Sequence, residues 1–251
     1  SPAIHTAAYK FLGLDWDYTR HQVPEGTLED FVDGDGKELS GLSVTMPLKL
    51  EAAKLASSVD SIVKLLGVAN TLVRVSDGFA AYNTDVFGIE MALRDGLGPE
   101  TKNVSILGAG ATAQSALFAV SRKAPQASVV VYVRDLAKTV AIKELASQLG
   151  VELMLKELSE YGDAQDLTIS TIPAAALDAM SPKSQAGWLL NVNYSSKDTQ
   201  FSKAFESEKV VQGETMLIWQ AIAQIRIFLN GSSDLELKDE AALYANMFDA
   251  I

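Results

Sequence analysis

Val104-Ser105-Ile106-Leu107-Gly108-Ala109-Gly110-Ala111-Thr112-Ala113-Gln114 decides the fold. A short apolar run meets a glycine turn and then an alanine-rich segment, the order strand, tight turn, helix. Gly108-x-Gly110-x-x-Ala113 matches a dinucleotide-binding fingerprint with Ala in the third small position. Gly108 permits the turn. Gly110 has no Cβ, so backbone can come close to a pyrophosphate, and Ala113 lets the helix pack near the strand. The helix N-terminus then offers unpaired N–H groups to phosphate oxygens. A strand-to-helix turn that binds nothing could share this glycine spacing; the flanking strand and helix favour the binding reading.

Outward from this stretch the pattern alternates regularly. Strands are predicted at Val104–Leu107, Ser128–Val133, Val151–Met154, Leu167–Ser170, Trp188–Val192 and Val210–Val211, with helices between them. That alternation predicts a doubly wound parallel sheet. Upstream, the first ninety or so residues read as a small α/β unit. Its predicted helices include Ser1–Leu12, with Ile4, Ala7, Ala8 and Phe11 on one face, Leu48–Ala56 and Ser61–Leu66. Asp17–Val23 is read as a strand, Thr27-x-x-Asp30 as a capping box, and Leu42–Thr45 as a buried strand whose following Pro47 suits a first helical turn. Thr71–Val75 and Phe79–Tyr82 flank the hairpin signal Ser76-Asp77-Gly78. Two long helices, Glu214–Asn230 and Lys238–Phe248, have no further strand to serve and are expected to return to the first unit. The fold class is therefore α/β in two domains. Residues 1–84 and 214–251 are expected to form a small α/β domain and 85–213 a Rossmann-type dinucleotide domain, with a cleft between them and hinges near Asp85 and Gly213.

Composition narrows the function. The 251 residues carry a net charge of −11, which argues against non-specific nucleic-acid or anionic-membrane binding. An anionic ligand must then meet a local cluster of positive charge. There is no cysteine, so thiolate chemistry is excluded, and two histidines without ligand spacing make no case for a metal. No apolar run reaches membrane-spanning length. A cytoplasmic monomer or homodimer acting on a small molecule is expected. The chain opens on a helix cap without Met, from which a preceding segment is expected to have been lost.

Three polar clusters precede the glycine turn: Ser43-Val44-Thr45-Met46-Pro47-Leu48-Lys49, Gly67-Val68-Ala69-Asn70-Thr71-Leu72 and Tyr82-Asn83-Thr84-Asp85-Val86-Phe87-Gly88. Each lies where a strand ends or a helix starts, the edge where α/β proteins place ligands. Singly they have ordinary explanations: Asp85 as a helix cap, Asn70 as a turn residue, Lys49 as a solvated lysine. Together, beside a dinucleotide fold, they point to a site.

In order along the chain, Ser1-Pro2-Ala3-Ile4-His5, Val44-Thr45-Met46-Pro47-Leu48-Lys49, Ala69-Asn70-Thr71-Leu72, Asn83-Thr84-Asp85-x-x-Gly88, Gly108-Ala109-Gly110 and Gly213-x-x-Met216-Leu217-x-x-Gln220 resemble the shikimate dehydrogenase family over nearly its whole length. The resemblance implies reversible NADPH-dependent reduction of the C3 ketone of 3-dehydroshikimate to shikimate, in aromatic amino-acid biosynthesis. It implies Lys49 and Asp85 as the catalytic pair, and Ser1, Thr45, Asn70, Tyr194 and Gln220 as holders of the substrate carboxylate and hydroxyls. It further places Gly108, Ala109, Gly110, Ala111, Arg134, Lys138, Ile172, Gly213 and Met216 at the cofactor, Arg134 and Lys138 as its positive phosphate clamp. Departures are Ser43 for a common Asn, Ala111 for a third Gly, Asn191 for an Asp, and the absence of the first serine of a pair, Ser1 being the second. The first strand of the substrate sheet would also lie upstream.

Cofactor choice is partly legible at Tyr132-Val133-Arg134-Asp135, the end of the second strand. An arginine there accommodates the 2′-phosphate of NADP, whereas an acid binds the 2′-hydroxyl of NAD. Arg134 favours NADP(H), and Lys138 four residues on is expected to share a helix face with it. A shift of one residue would make Asp135 the selector and favour NAD(H). Ile172 and Met216 either line the nicotinamide pocket or are ordinary core. The rival readings are an NAD-dependent enzyme that also uses quinate, and a non-catalytic regulator that binds a dinucleotide or shikimate-like ligand.

Overall fold

Pro2 opens helix α1 (Pro2–Leu12), its missing N–H costing nothing in a first turn, and Gly13 closes it in the left-handed conformation with φ of 69°. The computed structural model describes residues 1–162, 165–180, 182–193 and 199–251. After α1 come α2 (Leu28–Asp33), β1 (Gly41–Ser43), α3 (Lys49–Leu55), β2 (Ser58–Val59), α4 (Ser61–Leu66), β3 (Thr71–Val75) and β4 (Gly78–Tyr82). Next are α5 (Asp85–Ala92), β5 (Asn103–Leu107), α6 (Ala111–Lys123), β6 (Ser128–Val133), α7 (Val140–Leu149), β7 (Leu153–Glu157), β8 (Leu167–Ser170), α8 (Ala174–Asp178), β9 (Trp188–Asn191) and β10 (Val210–Gln212). Helices α9 (Gly213–Asn230) and α10 (Glu240–Phe248) end the chain. The chain divides into two compact units, one of Ser1–Thr84 with Ile218–Ile251, the other of Asp85–Leu217.

The first unit has a four-stranded sheet in the order β1-β3-β4-β2. β3 and β4 form the hairpin, with Val75 opposite Gly78, and β2 lies parallel to β4. Leu28, Val32, Val44, Leu48, Ala52, Leu72 and Phe79 make its core. Each large apolar side chain so buried contributes about 1.5–3 kcal/mol. Arg74 lies over the Phe79 ring at 4.5 Å and donates to the carbonyls of Leu39, Val32 and Gly36, pinning the loop before β1. From the other end of the chain α10 packs on α1, and the buried Arg226 of α9 pairs its guanidinium with Glu240 of α10.

Four local expectations are corrected here. Asp17–Val23 is not a strand. The segment carries two apolar side chains, no neighbouring strand pairs with it among the described residues, and a strand without ladder partners leaves its N–H and C=O groups to water. It borders a groove of about 590 Å³ lined by Trp16, Tyr18 and His21 together with Leu42 and Ser43. The capping box at Thr27 does not form: Thr27 Oγ1 donates to Pro24 O, and Glu51 of α3 accepts from Gly26 N at 2.7 Å and Leu28 N at 3.4 Å. Pro47 follows a cis peptide bond and sits in a turn, with α3 starting at Lys49. The buried face of α1 is Ile4, His5, Ala8 and Tyr9, and Phe11 points outward. His5 is enclosed because it stacks on Tyr18 at 4.2 Å between ring centroids.

The second unit holds a six-stranded parallel sheet in the order β10-β9-β8-β5-β6-β7. Read from β7, that is the doubly wound order in which the chain reverses direction beside β5, between β5 and β8. Residues Val104–Leu107 of β5 are buried on both faces, as expected of a strand covered by helices on each side. The register aligns Leu107 with Tyr132 and Ser170, and Ser170 with Asn191, which in turn meets Gln212. The segments that follow these residues therefore leave the sheet at one edge. No helix among the described residues is long and apolar enough to cross a membrane.

Candidate active site

At the sheet edge of the second unit, Gly108 has φ of +104°, a conformation that L side chains rarely adopt. A Cβ there would meet Thr171 Oγ1 at 2.5 Å, and that hydroxyl is tied down by its own hydrogen bond to Leu107 O at 2.7 Å. Gly110 caps α6, and a Cβ on it would face open space. Ala109 and Ala111 are half-buried, the latter being the first residue of α6. The turn thus leaves the unpaired N–H groups of the α6 N-terminus accessible, with Ile172 packed against Gly108. Gly213, where β10 becomes α9, approaches Val192 O and Asn191 O so closely that a Cβ would lie 2.7 Å and 2.8 Å away. Met216 is buried three residues further on.

Past β6, Arg134 and Lys138 are exposed. Asp135 is engaged differently: its carboxylate accepts from Ala137 N at 3.0 Å and caps a short 3-10 turn, Leu136–Thr139. Arg134 precedes that turn, and Lys138 has non-helical backbone angles within it, so the two do not share a helix face as the spacing predicted. A positive-φ glycine, a helix N-terminus with space before it and an exposed arginine after the second strand together fit a dinucleotide bearing a 2′-phosphate.

The first unit assembles the remaining residues by hydrogen bonds between segments distant in sequence. Val44 N donates to Asn70 O at 2.7 Å, Ala69 N to Lys49 O at 2.9 Å, and Asn70 N to Tyr82 O at 3.1 Å. Thr45, exposed, lies just past β1, and Lys49, half-buried, is the first residue of α3. Asn70 is 2 % exposed. Its Oδ1 accepts from Thr84 N at 2.8 Å, and because a backbone N–H can only donate, the amide orientation is set. Asn70 Nδ2 then donates to Thr84 Oγ1 at 2.9 Å and reaches Gln220 Oε1 of α9 at 3.4 Å. Ser1 is exposed, and its carbonyl accepts from both the backbone N–H and Nδ1 of His5. Asp85 follows Thr84 directly, is buried, and opens α5, where unpaired N–H groups favour a carboxylate. Tyr194 lies outside the described residues. Thr84 had no role assigned from sequence, although its place between Asn83 and Asp85 in a polar cluster at a helix start was the available signal.

Chemically the first unit offers an ammonium, amide donors and hydroxyls, a set suited to a small polyhydroxylated anion. The second offers backbone N–H groups and an arginine, suited to phosphates. Comparisons with known proteins agree. The family described as shikimate dehydrogenase substrate binding domain matches residues 1–72. The NADP-dependent shikimate dehydrogenase of Ignicoccus hospitalis is 30% identical over 242 residues, covering 92% of this chain and 89% of that protein. The crystal structure of the shikimate dehydrogenase of Mycobacterium tuberculosis superimposes with a TM-score of 0.80 at 30% identity, covering 100% of this chain and 94% of that one. A shikimate dehydrogenase solved in complex with NADP+ superimposes with a TM-score of 0.82 at 26% identity, covering 100% of this chain and 90% of that one. The chain belongs to the shikimate dehydrogenase family.

Proposed function

We propose that this chain reduces 3-dehydroshikimate reversibly to shikimate with NADPH, using Lys49 and Asp85 as its catalytic pair. In this reading residues 1–84 with the C-terminal helices bind the substrate, and the glycine turn with Arg134 and Lys138 binds the dinucleotide. Bound NADPH supplies the hydride to the C3 carbonyl carbon. The carbonyl π bond breaks, and negative charge develops on its oxygen. The Lys49 ammonium stabilises that alkoxide and passes it a proton, then regains one from solvent. In the oxidation direction neutral Lys49 takes the proton of the C3 hydroxyl. Asp85 holds the Lys49 charge in place and accepts a hydrogen bond from the neighbouring ring hydroxyl. Ser1, Thr45, Asn70, Tyr194 and Gln220 orient the carboxylate and hydroxyls. Ile172, Gly213 and Met216 border the nicotinamide.

The observation that best supports this reading is the join between motifs. Lys49, Asn70 and Thr84, the last immediately before Asp85, come from three segments tied by the Ala69 N–Lys49 O and Thr84 N–Asn70 Oδ1 hydrogen bonds. The engagement of Asp135 as a cap supports NADP over NAD, since it leaves the exposed Arg134 as the side chain at the selector position. The protein is a small-molecule enzyme of the cytoplasm, monomeric or homodimeric.

The deciding experiment follows reduced-nicotinamide absorbance with shikimate or quinate, each paired with NADP or NAD. Reduction in the shikimate and NADP pairing is expected. Activity confined to quinate with NAD would replace this reading by the NAD-dependent rival. No reduction by folded protein that binds NADP would replace it by the non-catalytic one.

A further inference from the structure

Thr171 is the first residue past β8, and the register of Leu107 with Ser170 sets it beside Gly108, the first residue past β5. The peptide that joins Leu107 to Gly108 is held from both sides. Its carbonyl accepts two hydrogen bonds from Thr171, one from N at 2.9 Å and one from Oγ1 at 2.7 Å, which uses both lone pairs of the oxygen. Its N–H, that of Gly108, donates to Tyr132 O of β6 at 2.8 Å. The Thr171 hydroxyl also fills the place beside Gly108 where a Cβ would stand, its oxygen 2.5 Å from that position. The absent side chain at Gly108 therefore makes room for a neighbour within the protein, whereas a Cβ at Gly110 would face open space.

Glycine adopts positive and negative φ about equally readily, so φ of +104° at Gly108 is not fixed by the residue itself. Three hydrogen bonds on one peptide plane fix it. That plane sets the direction in which the chain passes through Ala109 to Gly110 and the start of α6. We propose that Thr171 is a positioning residue for the cofactor: its hydroxyl locks the Leu107–Gly108 peptide and so aims the N–H groups of the glycine turn and the α6 N-terminus at the pyrophosphate. Valine keeps the branched shape without the hydroxyl. Thr171→Val thus strips one donor from Leu107 O and leaves the backbone hydrogen bond in place. Thr171→Ser keeps the donor and loses only a methyl group.

The inference rests on the glycine turn meeting the pyrophosphate, and its test reads binding rather than turnover. NADPH is titrated by its fluorescence. Adenosine 2′-monophosphate, which carries the 2′-phosphate and no pyrophosphate, is measured by its displacement of NADPH. Thr171→Val is expected to weaken NADPH about tenfold, a loss of about 1.4 kcal/mol, and the monophosphate less than twofold. Thr171→Ser is expected to bind NADPH within threefold of the parent. Equal weakening of the two ligands would mean general damage to the unit and would overturn the proposal. So would a Thr171→Ser variant as weak as Thr171→Val. If Thr171→Val does not fold, Thr171→Ala removes the same hydroxyl with less bulk and is read against Thr171→Ser by the same titrations. The parent chain separates the two questions. A parent that binds no NADPH overturns the cofactor reading of this edge and this inference with it. A parent that binds, beside a Thr171→Val variant that binds equally well, overturns the role of Thr171 alone.

Discussion

The two units build their sites by opposite means. In the second, each element of the dinucleotide edge lies within a few residues of the strand that positions it: Gly108 after β5, Arg134 after β6, Ile172 after β8 and Gly213 after β10. Parallel register alone brings them to one edge. In the first, Asn70 is held by Val44, Thr84, Gln220 and Gln224, partners up to 154 residues apart. Phosphates ask for backbone N–H groups and charge, which a turn supplies locally. A ring with several hydroxyls asks for side-chain donors and acceptors of fixed polarity, and fixing an amide takes neighbours from several segments.

Three experiments press on that contrast. The largest effect is expected from Lys49→Ala. Turnover should fall by about 10²–10⁴-fold, the usual worth of general acid–base catalysis, with NADP affinity by fluorescence titration within twofold of the parent. A kcat near that of the parent would remove Lys49 from its role, and a matching loss of NADP affinity would erase the separation between the sites.

Next is the acid stability of the first unit. His5 is buried against Tyr18, and burial pushes its pKa from 6.5 down to about 4, the Ser1 carbonyl and Gln224 restoring only part of that shift. The unfolded chain therefore binds a proton that the folded chain refuses. His5 costs no stability above pH 6.5, and stability is lost as pH falls from 6.5 to about 4. The shift corresponds to about 3 kcal/mol. Urea unfolding across that range should show the decline, and His5→Phe should flatten it. An unchanged slope in the variant would mean that His5 is not held neutral.

The smallest expected effect is on cofactor choice. Arg134→Ala should raise the KM for NADPH about tenfold and leave that for NADH nearly unchanged, the loss of one charge-assisted contact to the 2′-phosphate. Equal effects on both cofactors would sink the assignment. A rise in the shikimate KM would show the two sites to be less independent than their construction suggests.

Legibility followed the same divide. The strand Ser128–Val133 has the bounds its pattern indicates, because a parallel strand covered on both faces reads as a nearly unbroken apolar run, here Val129–Val133. Asp17–Val23 failed as a strand because strand character depends on a partner that local sequence does not name. The cap of α2 was misread because Glu51, from α3, took the place of a local side chain. Lys49, Asn70 and Asp85 were read as site residues from ordered motifs.

The sequence by itself determined the α/β alternation, the glycine turn, the candidate lysine and aspartate, and the arginine after the second strand. These rest on backbone preference and periodicity, which act within a few residues. Only the tertiary structure decided that Asp135 is engaged as a cap, that His5 is enclosed and which way the Asn70 amide faces. The Asn70 amide and the His5 ring are set by segments distant in sequence, and their surroundings exist only once those segments are packed together, whereas the Asp135 cap is local and depends on the turn the chain takes after β6.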